Sequence, residues 1–171
     1  MHQHRRSETV FVIRQAVNED ADRLAALRVE FYQTQIAAGW RDQPVNLQES
    51  MQAGTPATIR SPRNCIFLAE IAGAPIGYVF GTTKIVPGVR EPIISSIEEM
   101  YVGSDYRGVG LARRLLQNAL ADFRARNADR IQLRVLAENS DARMYWSQLG
   151  FRENVIICEF EQDHRGSPAP T

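Results

Sequence analysis

A glycine-rich turn between two apolar segments carries the clearest chemistry in this sequence. It runs from Arg107 to Ala112, after the apolar end of a predicted strand and before a predicted amphipathic helix. The N–H groups of a helix's first turn have no partner inside the helix, and they lie at the positive end of its dipole. Gly108 and Gly110 lack a Cβ atom, so an anion can approach the main chain closely. The turn therefore suits a phosphate group, although an ordinary strand-to-helix turn can have the same composition.

Two other phosphate-binding motifs do not fit this turn. The Rossmann fingerprint needs a third glycine, and the sequence has Arg113 after Gly108 and Gly110. A P-loop ends in Gly-Lys-Ser or Gly-Lys-Thr, and neither is present.

Two adjacent carboxylates, Glu98 and Glu99, lie on the predicted strand just before the turn. A carboxylate in this position can act as a general base, directly or through a water molecule. A solvated pair on an exposed sheet face is the alternative. A nucleophile on the protein is not predicted, because Ser147 has no His–Asp pattern and the two cysteines, Cys65 and Cys158, have no activating partner.

Size and composition indicate one globular domain. The chain has 171 residues, 44% of them hydrophobic, with 20 basic and 20 acidic side chains. A net charge of zero argues against nucleic-acid binding. No apolar run is long enough for a membrane helix or has the form of a signal peptide, so we expect a cytoplasmic protein without a membrane partner. His2, His4 and His164 have no ligand spacing with the cysteines, so no metal site is predicted.

The hydrophobic pattern predicts the order β-α-α-β-β-β-α-β-α-β within a domain over residues 9–161, between flexible tails at 1–8 and 162–171. We expect strands at 9–15, 64–71, 76–86, 93–102, 130–136 and 151–160. Helices are expected at 20–38, from Asn46 through Met51, after the glycine turn, and at 139–149. Gly54, Pro56 and Pro62 are expected to interrupt the chain after the second helix.

A second motif lies about 30 residues after the turn. Asn139 is followed by Ala142, by a helical segment, and by Gly150-Phe151. Asn139 is a good helix N-cap and Gly150 a good C-cap. Taken alone, this pattern is that of a well-capped helix leading into a strand.

Together the two motifs resemble those of the GNAT (GCN5-related N-acetyltransferase) superfamily. The first match is Arg107-x-x-Gly110-x-Ala112 after Met100-Tyr101-Val102, and the second is the Asn139–Phe151 segment. The resemblance implies an α/β (α+β) fold with about four helices and a mixed, mostly antiparallel sheet of six to seven strands. The strand that ends at Val102 and the strand at 130–136 would splay apart to form an acyl-CoA cleft.

The resemblance also implies a function. The protein would be a transferase that moves the acetyl group of acetyl-CoA directly to a primary amine of a small molecule or peptide, without a metal. Glu98 matches the position of a glutamate near the substrate amine in aminoglycoside-acetylating relatives, and Glu99 is the other candidate base. The expected contacts to acetyl-CoA are Met100, Tyr101, Val102, Arg107, Gly108, Val109, Gly110, Leu111, Ala112, Asn139, Arg143 and Trp146. A homodimer is possible, and a non-catalytic acyl-CoA-binding regulatory module is the alternative function.

The sequence departs from the family at one position. Most members place a tyrosine four residues before the glycine of Gly-Phe, where it can protonate the departing thiolate. This chain has Trp146 there, and Tyr145 is one residue earlier. Three alternatives stay open: Trp146 packs on the pantetheine and water supplies the proton, Tyr145 reaches the sulfur, or Tyr101 substitutes.

Overall fold

The fold is known from a computed structural model, which describes residues 11–41, 44–88 and 91–158. The two expected tails, at 1–8 and 162–171, lie outside the described residues. The contacts divide the chain into two compact units that meet in sequence at Asn139 and Ser140. The sheet belongs to the first unit. The second unit begins with the last helix and is described by itself.

Within the described ranges, five strands form one mixed sheet in spatial order β1-β2-β3-β4-β5. The first three pairings are antiparallel, and β4 pairs with β5 in parallel. The strands are β1 (Val12–Gln15), β2 (Asn64–Ile71), β3 (Ala74–Ile85), β4 (Ile93–Val102) and β5 (Arg130–Leu133).

Three helices cover the sheet, and a fourth belongs to the second unit. The helices are α1 (Ala21–Ala37), α2 (Leu47–Arg60), α3 (Leu111–Ala125) and α4 (Ser140–Gln148), with short 3₁₀ turns at Asn18–Asp20 and Ser104–Tyr106. Phe80 of β3 packs against the core cluster that contains Leu24 and Leu27 of α1. The next residue of β3 faces α3, since a Cβ atom at Gly81 would meet Phe123 of that helix. Neighbouring residues of a strand point to opposite faces, so α1 and α3 lie on opposite faces of the sheet.

The second helix is longer than predicted. Asn46 caps it as expected, by accepting a hydrogen bond from the Glu49 N–H at 3.2 Å. However, α2 continues to Arg60 through Gly54 and Pro56, which were expected to interrupt the chain. Thr55 between them is completely buried, and its hydroxyl donates to the Met51 carbonyl at 2.6 Å. Tertiary packing therefore outweighs the low helix propensity of these two residues.

Over the described residues the sheet has fewer strands than predicted, although the α/β class, the four helices and the mixed, mostly antiparallel pairing are confirmed. The strand expected at 130–136 ends at Leu133. The strand expected at 151–160 does not form over 151–158, and residues 159–160 lie outside the described part. Val155, Ile156 and Ile157 are exposed instead. An alternating apolar pattern becomes a strand only where a ladder partner is available, and this run has none among the described residues.

No helix in the described ranges has both the length and the apolar character needed to cross a membrane.

Candidate functional site

The last part of β4 has a strand partner on one side only. Its pairing with β5 begins at Ile94 opposite Arg130 and stops at Ile97 opposite Leu133. On the other side, the pairing with β3 continues to Val102. Residues 98–102 therefore leave main-chain groups without ladder partners along the β5 side, in the part of the chain that the structure describes. Such groups can bind a ligand that is rich in amides.

A β-bulge lies at the beginning of this open edge. Phe80 pairs with Glu99 and Gly81 pairs with Ile97, so Glu98 is the extra residue. A bulge bends its strand and leaves the extra residue unpaired. Glu98 is exposed at this bend.

Met100, Tyr101 and Val102, which were expected from the sequence to contact the ligand, follow the bulge. These three residues keep their regular pairing with Val79, Tyr78 and Gly77 of β3. The main-chain groups of Met100 and Val102 point to the β5 side, where the β4–β5 pairing has already ended, whereas those of Tyr101 point to β3. The Val102 carbonyl there accepts a hydrogen bond from Arg107.

Glu99 points into the protein interior, where it is only 4% exposed. Arg28 of α1 donates to it twice, from Nε to Oε2 at 2.9 Å and from Nη2 to Oε1 at 2.6 Å. Tyr32 of α1 donates to Oε1 at 3.0 Å, and Tyr78 of β3 donates to Oε2 at 2.7 Å. A carboxylate has about four acceptor positions, so these hydrogen bonds occupy the acceptor capacity of Glu99.

The partners of Glu99 are held in their protonated forms. Burial, followed by the negative charge of Glu99, raises the pKa of Tyr32 to about 12 and raises the pKa of Tyr78 well above its ordinary value. Burial alone would lower the pKa of Arg28, but its hydrogen bonds and charge interaction with Glu99 outweigh burial and raise it. The cluster is therefore a closed ion pair with two phenol donors.

The glycine turn has the backbone conformation that its sequence requires. Gly108 has φ of 76° and Gly110 has φ of 82°, in the left-handed region that glycine adopts without strain. Gly110 immediately precedes α3, and no side chain in the described part of the protein caps the N–H groups of that helix end. Residues 107–110 are exposed. An anion can therefore reach both the uncapped N–H groups and the positive end of the α3 dipole.

Arg107 adds a fixed positive charge next to this turn. Its Nε donates to the Val102 carbonyl at 3.0 Å, and its guanidinium carbon lies 6.0 Å from the centre of the Tyr101 ring. The side chain thus joins the end of β4 to the beginning of the turn.

A groove of about 240 Å³ opens beside the end of β4, between α1, the start of β3 and residues 103–106. On its wall the Tyr101 hydroxyl donates to Glu30 at 2.8 Å. Burial and this hydrogen bond raise the pKa of Tyr101.

The family assignment comes from comparison with known proteins. The sequence model of the acetyltransferase (GNAT) family matches residues 12–151. The chain belongs to the GNAT family.

Curated GNAT relatives match parts of the chain. An uncharacterised N-acetyltransferase of Methanocaldococcus jannaschii is 28% identical over 91 residues, which are 53% of this chain and 40% of that protein. An uncharacterised N-acetyltransferase of Archaeoglobus fulgidus is 24% identical over 82% of this chain and 92% of its own length. N-alpha-acetyltransferase 40 of Saccharomyces cerevisiae is 36% identical over 48% of this chain and 27% of its own. The chain thus spans well under half the length of two of these relatives.

Solved structures of GNAT proteins share the fold. An aminoglycoside N-acetyltransferase in complex with CoA has a TM-score of 0.74 and 17% identity, over 92% of this chain and 98% of that chain. A predicted acetyltransferase of Clostridium acetobutylicum with acetyl-CoA has a TM-score of 0.73 and 17% identity, over 89% and 96%.

The second GNAT motif lies on α4 and the residues that follow it. Trp146 packs edge-on against Phe151 at 5.4 Å and against Tyr145 at 5.5 Å between ring centres. Gly150 ends this segment with φ of 90°. Arg143 forms an exposed ion pair with Glu153 at 2.6 Å. Asn139 directly precedes the first helical residue.

The two free cysteines lie in different environments. Burial raises the pKa of the Cys65 thiol to about 12, so it stays protonated. Cys158 is exposed, and no cluster of three or more potential metal ligands occurs among the described residues.

Sequence reasoning missed Arg28, Thr55 and Tyr78 as part of the site. Arg28 did carry a signal, because it occupies a place in the apolar stripe of α1 that contains Leu24, Leu27 and Phe31. A charged residue on the buried face of a helix requires a buried partner. The sequence does not show that this partner is Glu99.

Proposed function

We propose that the protein is an acetyl-CoA-dependent N-acetyltransferase that moves the acetyl group directly to a primary amine. One observation carries the proposal: the open edge of β4 leads into the uncapped, left-handed glycine turn before α3. The first feature suits the amides of pantetheine, and the second suits a diphosphate.

The residues for holding acetyl-CoA follow from this arrangement. The N–H groups of residues 108–112 and the charge of Arg107 would bind the diphosphate. The main chain of Met100 and Val102, on either side of Tyr101, would bind the pantetheine. Asn139, Arg143 and Trp146 stay predictions that rest on the second sequence motif.

Glu98 is our candidate for the general base. A protonated amine is not a nucleophile, so a group near it must accept a proton. Glu98 is exposed at the bulge, whereas Glu99 already accepts four hydrogen bonds in the interior. To receive a proton from an amine, Glu99 would first have to lose one of these bonds.

The open edge also offers stabilisation of developing charge. When bound, acetyl-CoA supplies the acetyl group as an activated thioester. Main-chain N–H groups of β4 on the β5 side are available to donate to the thioester oxygen as negative charge develops there. The buried, protonated Cys65 and the absence of a base pattern around Ser147 favour direct transfer over a covalent acyl-enzyme.

Calorimetry with acetyl-CoA, combined with an assay of thiol release over a panel of amines, tests this function. The panel contains a peptide α-amine and an aminoglycoside, because similar proteins are named for these acceptors. We expect binding, and turnover with at least one amine. Binding without turnover on any amine would favour the non-catalytic module, and failure to bind would refute both functions.

A further inference from the structure

One buried side-chain cluster connects four elements around the bulge of β4. Arg28 of α1 donates to Glu99 of β4 and also to the Thr55 hydroxyl of α2 at 3.1 Å. Tyr32 of α1 and Tyr78 of β3 donate to the same carboxylate. We call these five residues the Glu99 cluster. It holds α1 and α2 against the two strands that form the bulge.

The Glu99 cluster contacts both strands next to the bulge. Glu99 is the first paired residue after the extra residue Glu98, and its ladder partner is Phe80. The guanidinium carbon of Arg28 lies 5.8 Å from the centre of the Phe80 ring. Both sides of the ladder step next to the bulge therefore contact the same arginine.

The opposite face of the bulge is fixed by packing. Gly81 is the ladder partner on the other side of the bulge, and a Cβ atom there would lie 2.4 Å from the Phe123 ring of α3. The bend at Glu98 is thus held between an ion pair on the α1 face and an aromatic ring on the α3 face.

We infer that Glu99 is a positioning residue, which holds the bulge so that Glu98 and the open edge of β4 keep their places. The expected change in kcat rests on the proposed function, whereas the role of Glu99 in holding the bulge does not. The saturated hydrogen bonding of Glu99 favours this role over proton transfer. A misplacement of reacting groups by about 1 Å can cost about 100-fold in rate.

The principal variant is Glu99→Gln, which keeps the shape of the side chain but removes its charge and places an amide donor against Arg28, Tyr32 or Tyr78. We expect kcat to fall about 10- to 100-fold, with the KM for acetyl-CoA within about twofold of wild type. Relative to wild type, amide hydrogen exchange in this variant should become faster over residues 97–102, and the increase there should be larger than over β1 and β2.

Asp20→Asn is the matched control. Asp20 is also buried, at 1% exposure, and also binds an arginine, Arg14, through two hydrogen bonds of 2.6 and 2.8 Å. It holds β1 rather than β4. We expect this variant to lose stability while it keeps its kcat and its exchange rates over residues 97–102.

Tyr32→Phe distinguishes positioning from base catalysis and serves if Glu99→Gln does not fold. Loss of a donor raises the basicity of a carboxylate. If Glu99 were the base, kcat would stay the same or rise. A positioning role predicts a fall of about threefold or more, because one of the four bonds that hold Glu99 is removed.

The outcomes separate this inference from the proposed function. If the wild-type protein acetylates no amine, the proposed function fails and the local hydrogen exchange alone decides whether Glu99 holds the bulge. If wild type is active but Glu99→Gln retains its kcat and its exchange pattern, the positioning role is wrong. Equal losses in Asp20→Asn and Glu99→Gln would also overturn it, since both would then reflect stability alone.

Discussion

Arg28 on α1 and Glu99 on β4, which are 71 residues apart, form a buried bidentate ion pair with donor–acceptor distances of 2.9 and 2.6 Å. Only one of two carboxylates that are adjacent in sequence takes part in this pair. Glu99 is saturated by hydrogen bonds in the interior, and Glu98 is exposed at a bulge. The structure therefore gives two neighbouring glutamates different environments, which is how one residue type can serve both packing and chemistry.

Replacement of Glu98 tests its assignment as the base. We expect Glu98→Gln to lower kcat by about 100-fold or more, because a general base contributes about 10²- to 10⁴-fold. The thermal midpoint should change little, since the side chain is exposed. Steady-state kinetics with the best amine of the panel measure the effect. Glu19→Gln, at another exposed position, serves as the control. Full activity in Glu98→Gln would exclude this residue as the base.

Replacement of Gly110 tests the diphosphate site. Gly110→Val places a β-branched residue at a φ of 82°, which costs about 1–2 kcal/mol of stability and disturbs the N–H groups before α3. We expect acetyl-CoA binding to become undetectable by calorimetry.

Gly73→Val is the matched control for Gly110→Val. Gly73 has φ of 80° and, like Gly110, no atoms within 4 Å of a built Cβ, but it lies in the β2–β3 turn. The control should lose similar stability and retain its affinity for acetyl-CoA. If Gly110→Val binds acetyl-CoA as tightly as the control does, the diphosphate lies elsewhere.

Much of the fold was predictable because local patterns agreed with tertiary packing. The strand at 64–71 and the strand at 93–102 were predicted with the bounds that β2 and β4 have. Two of the elements that differ from the prediction depended on distant partners. Helix α2 passes through Pro56 because Thr55 is buried beside Arg28, and residues 151–158 form no strand because they lack a ladder partner among the described residues.

The candidate site was predictable only where it is local in sequence. The turn at 107–112 could be predicted from its own glycines, which have positive φ as expected. The separate environments of Glu98 and Glu99 could not be predicted. They depend on which residue of β4 is the extra one, and that is decided by pairing with β3 and by Arg28.

The hydrogen bonds that Asp20 accepts from Arg14, Val17 and Arg23 lead us to expect a loss of stability in acid. The Arg14 hydrogen bonds, the Val17 N–H and Arg23 outweigh burial and hold the pKa of Asp20 well below its ordinary value of 3.8. A lowered folded pKa means that the carboxylate's contribution is fully present above the ordinary value and is lost as the pH falls below it.

We therefore expect the difference in free energy of unfolding between wild type and Asp20→Asn to shrink from about pH 5 to about pH 2. Urea denaturation at each pH measures this difference. A difference that stays constant over the range would show that the charge of Asp20 does not contribute.

Tyr145→Phe tests the proton source for the departing thiolate. The Tyr145 hydroxyl is buried, and Trp146 occupies the position where most family members have tyrosine. If water supplies the proton, Tyr145→Phe should keep kcat within about threefold of wild type. A loss of about 100-fold with unchanged thermal stability would instead assign the role to Tyr145.

The close approach of α3 to the sheet requires a residue without a Cβ atom at Gly81. A Cβ atom there would lie 2.4 Å from one Phe123 ring carbon and 3.0 Å from the Ser96 carbonyl oxygen. Because Phe123 is completely buried, its ring has little room to move away. We expect Gly81→Ala to destabilise the protein by about 1–3 kcal/mol, as overpacked cores do.

Phe123→Leu in the same chain should reduce the additional cost of Gly81→Ala, because the smaller side chain relieves the clash. Urea denaturation of the double-mutant cycle measures the coupling. Additive losses would show that Phe123 is not what requires glycine at this position.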